Sequence, residues 1–295
     1  MAGKILDGKA LSAEMRDELK ARVQTLQQAG ITPGLGVLLV GDDPASRSYV
    51  TAKEKACADT GIHSQEMRLS AEATRDDILT VVNTYNEDPR IHGILVQLPL
   101  PDAAMEQDVI AAIDPDKDVD GFHPVNIGRM MLGLPAFLPC TPHGILQMLH
   151  RSGYPLAGRH VVVVGRSNIV GRPLANLLTM KNELGNATVT LCHTGTRDLS
   201  VHTRQADVVV AAAGRPNTIT GDMIKEGAVV VDVGVNRVDD ASRPRGYRLV
   251  GDVDFEAAQD RVAAITPVPG GVGPMTITML LYNTVASAER GLKRT

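Results

Sequence analysis

The chain has 295 residues, 43% hydrophobic and 22% charged, with a formal net charge of −4, which is material for one large or two medium globular domains. Five tyrosines, three phenylalanines, no tryptophan and no long basic run argue against nucleic-acid binding by phosphate neutralisation and base stacking. Three scattered cysteines (Cys57, Cys140, Cys192) fit neither a disulfide framework nor a zinc site. No stretch is apolar enough for a bilayer or a secretory leader, so the expectation is a cytoplasmic protein with no resident metal and no membrane partner.

In chain order, Leu11 to Ala29 reads as an amphipathic helix, capped by Asp7 or Ser12 and stopped at Gly30. Leu35 to Val40 is a short continuous apolar run, the pattern of a buried parallel strand. Ser46 to Thr60 is helical and closed by Gly61; it sets Tyr49 and Lys53 one turn apart on one face. By itself Lys53 is either a solvated helix lysine or, if screened from water, an amine with a lowered pKa that moves protons near neutrality. Arg75 to Asn86 is a further helix and Gly93 to Leu98 a further buried strand, near whose end Gln97 marks the carboxyl edge where open α/β sheets bind ligands.

Asp114 to Gly121 looks superficially like a calcium loop. Counted from Asp116, the position that needs a bidentate glutamate is Ile127, so calcium is rejected. What remains is a solvated acidic turn, or one carboxylate, Asp120, aimed at the N–H groups of a heterocycle. Leu134 to Pro142 is a proline-rich boundary loop, followed by a helix from His143 to Arg151.

Beyond it the strands turn valine-rich: Val161 to Val164, Val189 to Leu191, Val208 to Ala212 and Val229 to Val233, the spacing of a doubly wound dinucleotide-type domain. Val164-Gly165-Arg166-Ser167-Asn168-Ile169-Val170-Gly171 is a strand end, a glycine turn and a helix start. It departs from G-x-G-x-x-G, with Ser167 at the second glycine and Gly171 one residue late. It is either a plain tight turn or a phosphate seat on free helix N–H groups. The next strand ends Leu191-Cys192-His193-Thr194-Gly195-Thr196-Arg197, with no acid for a ribose 2′-hydroxyl; Arg166, His193, Thr194 and Arg197 are suited to a 2′-phosphate, so NADP is expected over NAD. Last, Pro267 to Pro274 packs three prolines and three glycines into an uncharged apolar segment between a strand-like run (Val262 to Ile265) and a helix-like run (Thr276 to Ala288). It is either the stiff wall of a ligand site or a domain-crossing loop.

Together, Tyr49-Val50 with Lys53, Gly93 through Pro99, Asp118-Val119-Asp120-Gly121, Pro139-Cys140-Thr141-Pro142, Gly165 to Pro173, Asp232-Val233-Gly234 and Pro267 to Thr276 resemble the bifunctional methylenetetrahydrofolate dehydrogenase/methenyltetrahydrofolate cyclohydrolase family over nearly the whole chain. The resemblance implies two α/β domains with a cleft between them. Residues 1–139 plus 274–295 would bind folate, and residues 140–273 would form a Rossmann-type, doubly wound parallel-sheet NADP domain. It implies NADP-linked oxidation of 5,10-methylenetetrahydrofolate to the methenyl form, hydrolysis of that to 10-formyltetrahydrofolate, and a homodimer. Lys53 would handle the proton of the hydrolysis, Gln97 tune it, Tyr49 stack on the folate ring and Asp120 anchor the pterin. Val96, Leu98, Pro99, Pro267, Gly270, Gly271 and Val272 would line the substrate. Gly165, Arg166, Ser167, Ile169, Gly171, His193, Thr194, Val235 and Asn236 would hold the cofactor. The position matched to Thr194 is often serine in that family. A monofunctional dehydrogenase, a shikimate-type dehydrogenase and a non-catalytic nucleotide sensor are the alternatives; Lys53, Gln97 and Asp120 standing together disfavour the first and last, and the Pro267 to Thr276 loop disfavours the second.

Overall fold

The structure, a computed structural model, describes residues 2–243 and 246–292. In chain order its elements are β1 (Lys4–Ile5), α1 (Gly8–Gln28), β2 (Gly34–Val40), α2 (Pro44–Thr60), β3 (His63–Leu69), α3 (Arg75–Glu87), β4 (Gly93–Val96), α4 (Glu106–Ala112) and α5 (Pro124–Met131). There follow α6 (Cys140–Arg151), β5 (His160–Val164), α7 (Gly171–Thr179), β6 (Thr188–Cys192), α8 (Leu199–Thr203), β7 (Val208–Ala211), β8 (Val229–Asp232), β9 (Asn236–Asp239), β10 (Tyr247–Val250), α9 (Phe255–Gln259), β11 (Ala264–Ile265) and α10 (Val272–Leu292). Two compact units result. One takes the chain as far as Ser12 together with Thr141–Thr276; the other takes Ala13–Cys140 and the chain from Ile277 onward.

The second of these carries a three-stranded parallel sheet in the order β3-β2-β4. The apolar run of β2 is buried throughout, as a central parallel strand with both faces covered must be. On one face Leu38, Val40, Ile94 and Val96 pack with Ile78, Val82 and Tyr85 of α3 and Val109 of α4. Gly36 is required here: a Cβ would sit 2.9 Å from the Tyr85 ring. The Tyr85 hydroxyl reaches the carbonyls of Val37 and Gln65 at 3.2 and 3.0 Å, which meets the need of a buried phenol for a partner. β3 escaped the sequence reading because His63-Ser64-Gln65-Glu66-Met67-Arg68-Leu69 is an edge strand whose polar residues stay largely in contact with water.

The other unit holds a six-stranded sheet, β1-β11-β8-β7-β5-β6, parallel at every pairing. The α/β fold with a doubly wound parallel sheet is therefore as expected. From β5 the chain steps to β6 on one side, then returns past β5 to β7 and β8 on the other. The carboxyl ends of β5 and β7 thus flank the point where the winding reverses, the place where open α/β sheets bind ligands. Val162, Val164, Val209, Ala211, Val230 and Ile265 fill the core with Ile219, Ile224, Val253 and Val262.

Several boundaries differ from the sequence reading. β1 pairs with β11, so residues up to Ser12 group with the dinucleotide-type unit and not with the rest of 1–139. α1 begins at Gly8, where Asp7 Oδ1 accepts the N–H groups of Lys9 and Ala10; Ser12 Oγ instead donates to the Pro274 carbonyl at 3.2 Å. α6 begins at Cys140 and α10 at Val272, because Pro142 and Pro274 fall in first turns, where a proline costs no helical hydrogen bond. The β9–β10 hairpin was not foreseen. No helix among the described residues is long and apolar enough to cross a membrane.

Candidate active site

α2 is built to present one face. Asp43 caps it by accepting from Ser46 N at 2.7 Å, Pro44 opens it, and Gly61 closes it in the left-handed region at φ 79°. Tyr49, Lys53 and Cys57 follow at successive turns of that face, and it runs from surface to interior: Tyr49 is 40% exposed, Lys53 9% and Cys57 0%. Lys53 is thus not the solvated helix lysine. Its Nζ donates to Gln97 Oε1 at 2.9 Å, just past β4, and Gln97 Nε2 is fixed in turn by the Leu98 carbonyl at 2.7 Å. The second bond makes Oε1 the atom that faces the amine.

Asp120 reaches the same place by a different route. β4 is the edge of its sheet, and the Asp114–Gly121 segment covers it through a parallel bridge between Ile94 and Asp118, with Ile94 N donating to Lys117 O at 2.8 Å. Lys117 Nζ meets the carbonyls of Tyr85, Asn86 and Asp88 at the end of α3, and Asp118 is buried, accepting from the N–H groups of Gly121, Phe122 and His123 and from Asn126 Nδ2. The solvated acidic turn of the sequence reading is therefore a fastened loop, with Asp118 as its internal anchor and Asp120 left over to act.

Burial drives both charged partners toward neutrality. It lowers the Lys53 ammonium, against the pull of Asp120, and raises the Asp120 carboxyl to about 6, with Lys53 and the Cys140 thiol opposing and Asp118 adding to the rise. Cys140 Sγ donates to the Val119 carbonyl at 3.3 Å, and Asn283 of α10 bonds that same carbonyl at 2.8 Å and Leu138 O at 3.1 Å. Neither Cys140 nor Asn283 was read as part of this site. The Pro-Cys-Thr-Pro segment marked the first only as a motif, and no local pattern marks the second. Burial also raises the Tyr49 phenol, which stays uncharged at neutral pH. Val96 is buried at the end of β4, while Leu98 and Pro99 retain exposure beyond it. An amine held by a fixed amide oxygen, beside a carboxyl raised to about 6 and one helical turn from a half-open aromatic ring, can accept and return a proton at a bound ring system.

The dinucleotide-type unit holds the second set. Gly165 follows β5 at φ 127°, and a Cβ there would lie 2.0 Å from Ala212 O at the end of β7. Gly171 lets α7 start against the turn, since its Cβ would fall 1.9 Å from Gly165 O. Ser167 Oγ accepts from the N–H groups of Val170 and Gly171 at 3.1 and 3.4 Å, which fixes the turn ahead of α7, with Arg166 exposed beside it. His193 is pinned after β6, its N–H donating to Thr196 Oγ1 at 2.9 Å and its Nδ1 accepting from Gly195 N at 3.1 Å; Thr194 and Arg197 stay exposed. Ile169 and Val235 are exposed apolar side chains, 44% and 48%, and Asn236 starts β9. Glycines that admit close backbone approach, an acid-free second strand and free apolar flanks fit a dinucleotide with a 2′-phosphate.

The Pro267–Val272 segment belongs to this unit. Gly270 lies at φ 109°, its carbonyl accepting from Lys9 N at 3.1 Å, and Gly271 abuts Pro267 O and Thr266. Gly271 and Val272, the latter the first residue of α10, are buried; Pro267 and Gly270 are half-buried, and Pro269 is the exposed residue of the segment. Among the described residues no group of His, Cys, Asp or Glu is arranged to hold a metal ion.

Two family models match the chain: the catalytic domain of tetrahydrofolate dehydrogenase/cyclohydrolase over residues 6–120, and its NAD(P)-binding domain over residues 139–292. The chain is 58% identical to the bifunctional protein FolD of Geotalea daltonii, over 97% of this chain and 99% of that one. It is 53% identical to the protein of the same name from Bacillus subtilis, over 99% and 100%. Among solved structures it superposes on the Campylobacter jejuni bifunctional FolD dehydrogenase/cyclohydrolase with a TM-score of 0.92 at 50% identity, covering 98% of this chain and 100% of that one. A Trypanosoma brucei methylenetetrahydrofolate dehydrogenase-cyclohydrolase complexed with NADP and an inhibitor gives a TM-score of 0.94 at 39% identity, covering 99% of each chain.

Proposed function

The chain belongs to the tetrahydrofolate dehydrogenase/cyclohydrolase family, and on that premise we propose that it oxidises 5,10-methylenetetrahydrofolate with NADP and hydrolyses the resulting methenyl form to 10-formyltetrahydrofolate. The observation that carries the second activity is the bond from the buried Lys53 amine to Gln97, with Asp120 alongside. Bound NADP supplies the acceptor for the hydride that leaves the one-carbon bridge. That departure alone creates the cationic methenyl group, so the first step asks the protein for position and not for an acid or base. Tyr49 supplies a flat wall for the folate ring, and Asp120 accepts from its N–H groups. Hydrolysis then needs water delivered to the cationic carbon and its proton removed. Lys53 in its neutral form takes that proton, and Gln97 Oε1 keeps the amine aimed while it does so.

Leu98, Pro99, Pro267 and the Gly270-Gly271-Val272 stretch bound the folate in this reading. Gly165, Arg166, Ser167, Ile169, Gly171, His193, Thr194, Val235 and Asn236 hold NADP, with Arg166, His193 and Thr194 near its phosphates. The protein works as a homodimer in the cytoplasm, a reducing compartment that suits its three buried free thiols. Mixing the purified protein with methylenetetrahydrofolate and NADP, while following reduced cofactor and methenyl absorbance together, tests this. NADPH formation with little methenyl build-up is expected. NADPH with methenyl accumulating would leave a dehydrogenase with an idle Lys53 site, and no reduction with NADP or NAD would overturn the assignment.

A further inference from the structure

Two aspartates in the dinucleotide-type unit, one ending β8 and one two residues past β10, are buried, and neither is used by the chemistry above: Asp232 is 4% exposed and Asp252 0%. Asp252 Oδ2 accepts from Ala213 N at 2.6 Å and Gly214 N at 2.9 Å; its Oδ1 accepts from Arg215 N at 3.0 Å and Asn236 Nδ2 at 2.9 Å. Asp232 holds Asp252 in turn, its Oδ1 accepting from Asp252 N at 2.9 Å and Gly234 N at 3.0 Å and its Oδ2 from Val253 N at 2.9 Å. Two glycines make room for this arrangement. A Cβ at Gly234 would stand 2.2 Å from Asp252 Oδ1, and one at Gly251 would stand 1.8 Å from Asp232 Oδ2.

The location gives the arrangement its meaning. Ala213 to Arg215 directly follow β7, whose carboxyl end flanks the reversal of winding, and Ala212 O is the atom against which Gly165 packs. Asn236 begins β9, four residues past the end of β8. One buried carboxylate therefore grips both segments that leave the sheet beside the cofactor turn, through charge-assisted bonds to three successive backbone N–H groups and one side-chain amide.

We propose that Asp252 is a positioning residue for NADP: without touching the cofactor, it holds the backbone of Ala213 to Arg215 and the amide of Asn236 in the geometry that receives it. The role rests on the NADP-dependent activity proposed above. An amide cannot replace the carboxylate, because every group facing it is a donor. In Asp252→Asn, even if Asn236 turns its amide over, at least one backbone N–H meets an NH2 group.

The test is titration of wild type, Asp252→Asn and Gly234→Ala with NADP, together with steady-state kinetics against both substrates. The expected result for Asp252→Asn is a dissociation constant and KM for NADP at least tenfold higher, with the KM for methylenetetrahydrofolate within about twofold of wild type and most of kcat recovered at saturating NADP. Gly234→Ala, which displaces the carboxylate but keeps its charge, shifts NADP affinity the same way and carries the test if Asp252→Asn does not fold. Variants that melt earlier yet bind NADP like wild type would overturn the role and leave Asp252 a stabilising residue only. Wild-type protein that takes up no NADP would overturn the functional reading, and this role with it.

Discussion

Lys53→Met keeps the aliphatic stem in its buried slot and removes the amine that Gln97 holds. The expected outcome is loss of methenyl hydrolysis by at least ~100-fold, the lower range for removal of a general acid–base group, with NADP affinity unchanged; direct hydrolysis assays and NADP titration check the two halves. Asp120→Asn probes the pairing. The carboxylate opposes the burial that lowers the Lys53 amine, so its removal lets that amine fall further. The alkaline rise of hydrolysis rate with pH, which reports formation of the neutral amine, is expected to move to lower pH in Asp120→Asn. A profile that stays in place would separate Asp120 from Lys53. At this scale the sequence was informative about residue types: Tyr49 and Lys53 one turn apart and a glutamine near a strand end are visible in the string. It was silent on burial, and burial is what separates this lysine from the many that wave in solvent.

Elements carry their own tests. Gly165→Ala adds a Cβ at φ 127° against Ala212 O, a conformation and a contact that L residues do not tolerate. The expected cost is about 1–3 kcal/mol of stability together with weakened NADP binding, read by thermal melting and titration. Asp232 sits at the end of β8 with its carboxyl raised to about 6, chiefly by burial, from an ordinary value of 3.8. A raised acid holds its proton longer in the folded state, so its contribution to stability falls as pH rises from about 4 to about 6. In Asp232→Asn the unfolding free energy over that window is expected to lose up to about 1.4 kcal/mol per pH unit of downward slope, the equivalent of one proton; denaturant melts at stepped pH measure it. The Val-rich strands β5, β7 and β8 were legible as elements because parallel strands buried on both faces need continuous apolar runs. β3 and the β9–β10 hairpin were not, because edge and hairpin strands that stay wet carry mixed sequences.

For the molecule as a whole, ligand linkage is the most direct probe. A ligand that binds only the folded state stabilises it by about 2.7 kcal/mol at a hundred times its dissociation constant. NADP is therefore expected to raise the melting temperature clearly. NAD at equal concentration should raise it less, since β6 ends without an acid for a free ribose hydroxyl and with His193, Thr194 and Arg197 instead. An equal or larger shift with NAD would count against the 2′-phosphate reading. The α/β class and the family itself were both readable from linear patterns, because hydrophobic period, turn chemistry and a few dense motifs are local properties of the chain. Tertiary structure alone decided that β1 joins the sheet of residues far along the chain, that Asp118 is an internal anchor while Asp120, two residues on, faces an amine, and that Asp252 gathers donors from residues 213–215 and 236. Each depends on which distant backbone groups come to lie around a side chain, and spacing along the sequence carries no record of that.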